Sequence, residues 1–244
     1  MAMAGRWGMN WGATIWGAMT WGGTLTTRTP FKKMADADRL RLLQWLSPGF
    51  PIGAFAYSQG LEAAIAAGDV RDAAGLQDWI AAVLTHGAGR MDAVFLALAR
   101  GEGDAQDLAD LARAMAGSAE RLTEMTEQGR AFGQTIAAIT GVEQPALPYA
   151  LAVGHATRML GVDTAEVIML WLQGLAAQLT SVAVRFLPLG QTEGQQVLAR
   201  LAPLIAGLAE TYATLGPDDL YNTTPGADLA AMRHETMDVR IYRT

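Results

Sequence analysis

Ser58 lies in Ala56-Tyr57-Ser58-Gln59-Gly60, one residue away from the G-x-S-x-G pattern that raises a nucleophilic serine on a sharp strand-to-helix turn. Asp218 and His234 come later in the order that a Ser-Asp-His hydrolase would use. No strand is legible before Ser58, however, so a serine hydrolase using Ser58 stands as the alternative reading. Other reactive side chains are sparse. His86, His155 and His234 are far apart, and neither H-E-x-x-H nor E-x-x-H occurs, so no zinc or di-iron ligand set is legible. Cysteine is absent, which excludes disulfides and thiolate catalysis. No lysine occurs after Lys33, so the body has no Walker A loop, Schiff-base lysine or Ser-x-x-Lys dyad. Carboxylates are plentiful, but no spacing singles out a pair for acid–base work. No catalytic residue, cofactor or metal site is expected, and the chain reads as a binding module.

The scaffold around these residues has a helical period. Asp36 opens a helix whose expected buried stripe is Leu40, Leu43, Trp45 and Leu46. Pro48, Gly49, Pro51 and Gly53 then force a structured loop, because proline lacks an N–H and pushes its predecessor out of the helical basin. Phe55, Ser58, Leu61, Glu62 and Ile65 resume helical spacing until Gly68. Leu76, Trp79, Ile80, Val83 and Leu84 mark one face of the next segment, and the break at Gly87-Ala88-Gly89 makes it two helices or one interrupted helix. From Asp104 to Ile139, steps of three and four run through Leu108, Leu111, Met115, Ser118, Leu122, Met125, Gly129, Phe132, Ile136 and Ile139. This seam fits a helix of the same chain or of a second copy, with Ser118 and Gly129 small enough for close approach. After Pro145 and Pro148, Leu151, Ala152, His155 and Met159 share a face. Val167 to Val184 carries no formal charge and has the length of a membrane span. Gln173, Gln178, Thr180 and Ser181, with no second span elsewhere, favour a central helix buried on all sides; a membrane-attached helical protein is a third reading. Pro188 and Gly190 then reverse the chain, and Thr192 is the expected cap of a helix over Glu193–Ala213.

The 244 residues, 51% of them hydrophobic, are enough for a sizeable core. Net charge is −6, but residues 1–33 carry four basic side chains and no acid, leaving the body at −10. An acidic body argues against nucleic acid, whose affinity comes from neutralising phosphates, and favours basic protein partners. Residues 1–33 repeat Trp-Gly without helical or strand period and read as a disordered leader, with Met34 as an alternative translation start. Residues 34–216 form the expected helical domain. Residues 217–244 lose the periodicity and read as an exposed C-terminal tail that orders on a partner, anchored by Arg240, Ile241 and Tyr242. The expectation is an all-α bundle of about eight to ten helices, in a cytoplasmic protein.

Three stretches carry a resemblance. The first is Ser47-Pro48, Pro51, Gly53, Phe55, Ser58 and Gly60-Leu61-Glu62. Arg185, Pro188-Leu189-Gly190-Gln191-Thr192 and Gly194-Gln195 form the second, and Met232-Arg233-His234-Glu235-Thr236 the third. Together they resemble the UreF family of urease accessory proteins, over essentially all of the chain after the leader. The resemblance implies a non-enzymatic scaffold in nickel insertion into urease, usually homodimeric. It would bridge the accessory protein UreD (also called UreH) and the GTPase UreG on apo-urease, and would modulate GTP hydrolysis. On that reading Met232, Arg233, His234, Glu235, Arg240 and Tyr242 contact UreD. The Ser47–Glu62 loop and helix, with Arg185–Gln195, form or brace the dimer and UreG surfaces.

Overall fold

The computed structural model describes residues 30–101 and 103–243, with side chains from residue 36 onward. The bulk of the expected leader, residues 1–29, lies outside the described residues. Those described form an all-α bundle: α1 (Pro30–Trp45), α2 (Leu61–Ala67), α3 (Ala73–His86), α4 (Ala88–Arg100), α5 (Ala105–Ala114), α6 (Ala119–Thr140), α7 (Tyr149–Thr157), α8 (Thr164–Phe186), α9 (Gln191–Tyr212) and α10 (Pro225–His234). α8 packs along α9, α4 and α6 flank α7, α3 lies on α9, and α10 sits on α2.

Several helices start where the sequence supplies a cap. Asp72 accepts from Gly75 N at 2.9 Å, Asp104 from Gln106 N at 2.7 Å, and Ser118 from Arg121 N at 3.0 Å. Ser118 therefore ends the long seam as one element, splitting it into α5 and α6, and is not the close-packing residue that the spacing suggested. Gly129 is: a Cβ there would stand 2.0 Å from Leu147 O, so only glycine lets the extended run into α7 cross α6. Helix α9 begins at Gln191 with Gly190 as its cap; Gly190 N donates to the Glu193 carboxylate at 3.2 Å, and Thr192 plays no capping part. α3 and α4 are separate helices that meet at Gly87.

Helix α1 departs most from its predicted stripe. It starts at Pro30, where a missing N–H is harmless, and buries Asp38, Leu42 and Trp45 while Leu40 and Leu43 face outward. Asp38 turns inward because Gly161 N donates to its carboxylate at 2.9 Å, which rotates the stripe away from the two leucines. α8 is the one described helix long and apolar enough to cross a membrane, and 56% of that window is buried within the protein. Its buried side, including Ile168, Leu172, Ala176 and Leu179, faces the other helices, whereas Leu170, Gly174, Ala177 and Gln178 keep one flank partly open. An aromatic column anchors the loop after α1 to this core: Phe50 to Phe132 at 5.4 Å, Phe132 to Tyr149 at 5.6 Å, Tyr149 to Trp171 at 4.7 Å.

Candidate functional site

The turn that feeds α2 has an unusual backbone. Gln59 (φ 52°) and Gly60 (φ 78°) occupy the left-handed region in succession, and Gln59 is the single non-glycine residue with positive φ among those described. At Gly60 a Cβ would lie 2.6 Å from Ala231 N and 3.0 Å from Ala230 C, so α10 rests directly on the turn. The first stretch therefore touches α10 backbone to backbone just ahead of the third stretch.

Beyond α10 the chain remains folded. Glu62, in the first turn of α2 and 4% exposed, receives Ile241 N at 2.8 Å and Tyr242 N at 2.9 Å. His234 is fully buried, with Nε2 3.0 Å from Glu62 Oε2 and Nδ1 2.9 Å from Glu120 Oε2. Arg240 pairs with the other oxygen of Glu120. Glu235 accepts the amides of Ala119 and Glu120 at 3.0 and 3.3 Å, capping α6 from outside. Arg243 N donates to Ala56 O at 2.7 Å; its guanidinium reaches Glu127, which also receives the Tyr57 hydroxyl at 2.7 Å. The second stretch arrives through Arg185, whose Nη1 donates to Tyr242 Oη at 3.1 Å while the Phe186 and Tyr242 rings lie 5.7 Å apart.

The tail read from sequence as exposed and waiting for a partner is thus held by its own chain, and His234 and Tyr242 face inward. The physical reason is that carboxylates on α2 and α6, the buried Glu62 among them, satisfy its amides, ring nitrogens and guanidinium groups together. Ser58 (0% exposed), Gly60 and Glu62 are likewise inside. At the surface are Pro48, Pro51, Gly53 and Phe55 of the first stretch, Arg185, Pro188, Gly190, Gln191 and Gln195 of the second, and Met232, Arg233, Glu235 and Arg240 of the third; Gly194 is buried between α8 and α9.

The serine-hydrolase reading lacks its geometry. Ser58 is sealed from solvent, its Oγ takes the N–H of Glu62 at 3.4 Å, and a single 3-10 turn (Ala54–Ala56) precedes it where a strand is needed. His234 is committed to two glutamates. Among the described residues no group of three or more His, Asp or Glu is arranged to hold a metal ion.

Electrostatics reinforce the assembly. Burial alone would raise the Glu62 carboxyl, but the Ile241 and Tyr242 amides and the His234 ring outweigh it and hold it below its ordinary value. Glu127 is also held low, chiefly by the Tyr57 hydroxyl, while burial and that bond push Tyr57 up to about 12.

A second polar cluster has no counterpart in the sequence reading. Asp92 and Glu124, 8% and 1% exposed, both pair with Arg121, and Gln59 and Gln128 donate to Glu124 at 3.1 and 3.2 Å. Burial works against the Arg121 charge, yet the two carboxylates overcome it and keep the guanidinium protonated; burial pushes Asp92 up against the pull of Arg121. The cluster walls a cavity of about 240 Å³ that opens between the first stretch and α8, past Leu46, Ile52, Phe55, Leu170 and Gln178. The seam period puts Arg121 and Glu124 on outer faces. An Asp inside the apolar run Met91–Leu98 is the signal that could have found their partner.

Helices and motif geometry together describe an all-α protein whose motif stretches converge on a self-docked C-terminal segment. The chain matches the UreF family over residues 70–202. It is 56% identical to a urease accessory protein UreF of Cereibacter sphaeroides over 205 residues, covering 84% of this chain and 98% of that one. It is 52% identical to the UreF of Paracoccus denitrificans over 221 residues (90% and 100%), and 47% to that of Dinoroseobacter shibae over 208 residues (85% and 99%). The chain belongs to the urease accessory protein UreF family.

Proposed function

We propose that this chain is a non-catalytic scaffold in nickel-dependent urease maturation, bridging UreD/UreH and the GTPase UreG on apo-urease, with nickel as cargo. The observation that carries this reading is the surface made by the docked C-terminal segment. Met232, Val239 and Ile241 are 46, 81 and 73% exposed, although the segment under them is fixed by hydrogen bonds of the buried Glu62 and His234. Large apolar side chains displayed on a rigid support, with Arg240 beside them, suit a protein partner, and that partner is UreD/UreH on this reading. The exposed Phe55 and prolines of the first stretch, beside the cavity along α8, and the exposed residues of Pro188–Gln195 are left for the second copy of a homodimer and for UreG. Nucleotide hydrolysis belongs to UreG, and the scaffold acts on it by favouring one arrangement of partners.

Co-purification of the full chain with UreD and UreG tests this, alongside a chain ending at Asp228 and a full chain carrying Ile241→Asp. The intact chain should form a ternary complex, and both altered chains should lose UreD. An intact, folded chain that captures neither partner would refute the reading.

A further inference from the structure

The ring of His234 has two nitrogens, and each faces a carboxylate oxygen, at 3.0 Å on Glu62 and 2.9 Å on Glu120. Carboxylates only accept, and a neutral imidazole offers one N–H, so two such bonds require a second proton on the ring or one on a carboxyl. The carboxyls are poor places for it. Glu62 already accepts two backbone amides, and Glu120 is bonded to the Arg240 guanidinium. The groups bonded to the ring are therefore Glu62 from α2 and Glu120 from α6, with Arg240 of the tail on the other oxygen of Glu120; the ring's neighbours in sequence, Arg233 and Glu235, are at the surface, and Glu235 is engaged by the α6 amides. With the ring charged, the two carboxylates meet two cations, the buried His234 ring and the exposed Arg240. With the ring neutral, Glu120 keeps Arg240, but the buried Glu62 carboxylate is left with backbone amides and no cation.

We propose that His234 is a charged clasp: as an imidazolium it ties α2 to α6 and positions residues 235–243, and loss of its second proton releases that segment. The device is separate from partner binding and holds whether or not the tail meets UreD. Its sign is fixed. Docking is complete where the ring is charged and is lost as pH rises through the ring's titration; on the acid side it is lost when Glu62 is protonated. The tail is thus presented within a pH window bounded by those two events.

The test uses the full chain. Proton-coupled ¹⁵N spectra of labelled histidine report whether both His234 nitrogens carry protons near neutral pH, and amide exchange, corrected for intrinsic base catalysis, tracks Ile241 and Tyr242 as pH rises. Both nitrogens should be protonated, and protection of the two amides should fall roughly tenfold or more in step with loss of the second proton, the factor expected when one charge-assisted bond breaks. Glu120→Gln keeps the size and an acceptor but removes one charge; it should move the release to lower pH. A bare ring nitrogen at neutral pH, protection that does not track the titration, or a Glu120→Gln release at the wild-type pH would each overturn the proposal.

Discussion

Gly60 and Gly53 offer a matched pair of substitutions. Both have positive φ, 78° and 74°, so alanine at either site meets the same left-handed penalty of about 1–2 kcal/mol, offset in part by the stiffer unfolded chain. Their surroundings differ. A Cβ at Gly53 finds nothing within 4 Å, whereas at Gly60 it meets the Ala231 and Ala230 backbone at 2.6 and 3.0 Å. Backbone cannot swing aside as a side chain can, so α10 must lift, adding an overpacking term of roughly 1–3 kcal/mol. Urea unfolding should show Gly53→Ala destabilised by about 1 kcal/mol and Gly60→Ala by about 2–4 kcal/mol. Amide exchange at Ile241 and Tyr242 should speed up in Gly60→Ala alone, because α10 carries His234. Equal destabilisation of the two variants, or unchanged exchange in Gly60→Ala, would refute the idea that the turn is the seat of the C-terminal segment.

Arg121→Met should be among the most damaging single changes, costing about 3–5 kcal/mol in denaturant unfolding, because Asp92 and Glu124 would remain buried without their cation. Gly129→Ala should leave little folded protein by circular dichroism and gel filtration, since its Cβ would overlap Leu147 O at 2.0 Å. Acid should loosen the tail before the bundle. The Glu62 carboxyl is held below its ordinary value of 4.5, so its contribution is present above that value and disappears as pH falls through the lower folded one. Tail proteolysis should therefore begin on the acid side of pH 4.5 while helical content persists, and Glu62→Gln should remove that acid step.

Helix content is legible because most apolar runs keep a 3.6 period and caps such as Asp72 and Asp104 precede them. What the period cannot convey is which polar residues turn inward. Asp38, Glu62, Asp92 and Glu124 are buried because partners elsewhere in the chain satisfy them, and hydropathy scores each as a surface residue. The same blindness makes the tail look loose: its composition is polar, and the carboxylates that hold it lie more than a hundred residues away on α2 and α6. Motif resemblance locates the three stretches that meet, while their convergence on Glu62, His234 and Tyr242 emerges only in three dimensions. The leucines of α1 illustrate the reverse error, in which apolar residues at nearly correct spacing face outward because Asp38 takes the inner position.

The scaffold role stands or falls on the nickel content of urease purified from cells of the source organism that lack this chain, complemented either with the native protein or with one carrying Met232→Asp and Ile241→Asp. Both side chains are exposed, so the variant should fold as the native protein does. Urease should be nickel-poor without the chain, loaded with the native protein, and nickel-poor again with the variant. Full nickel loading in the absence of the chain would contradict the scaffold role, and full loading by the variant would contradict the C-terminal surface as its working face.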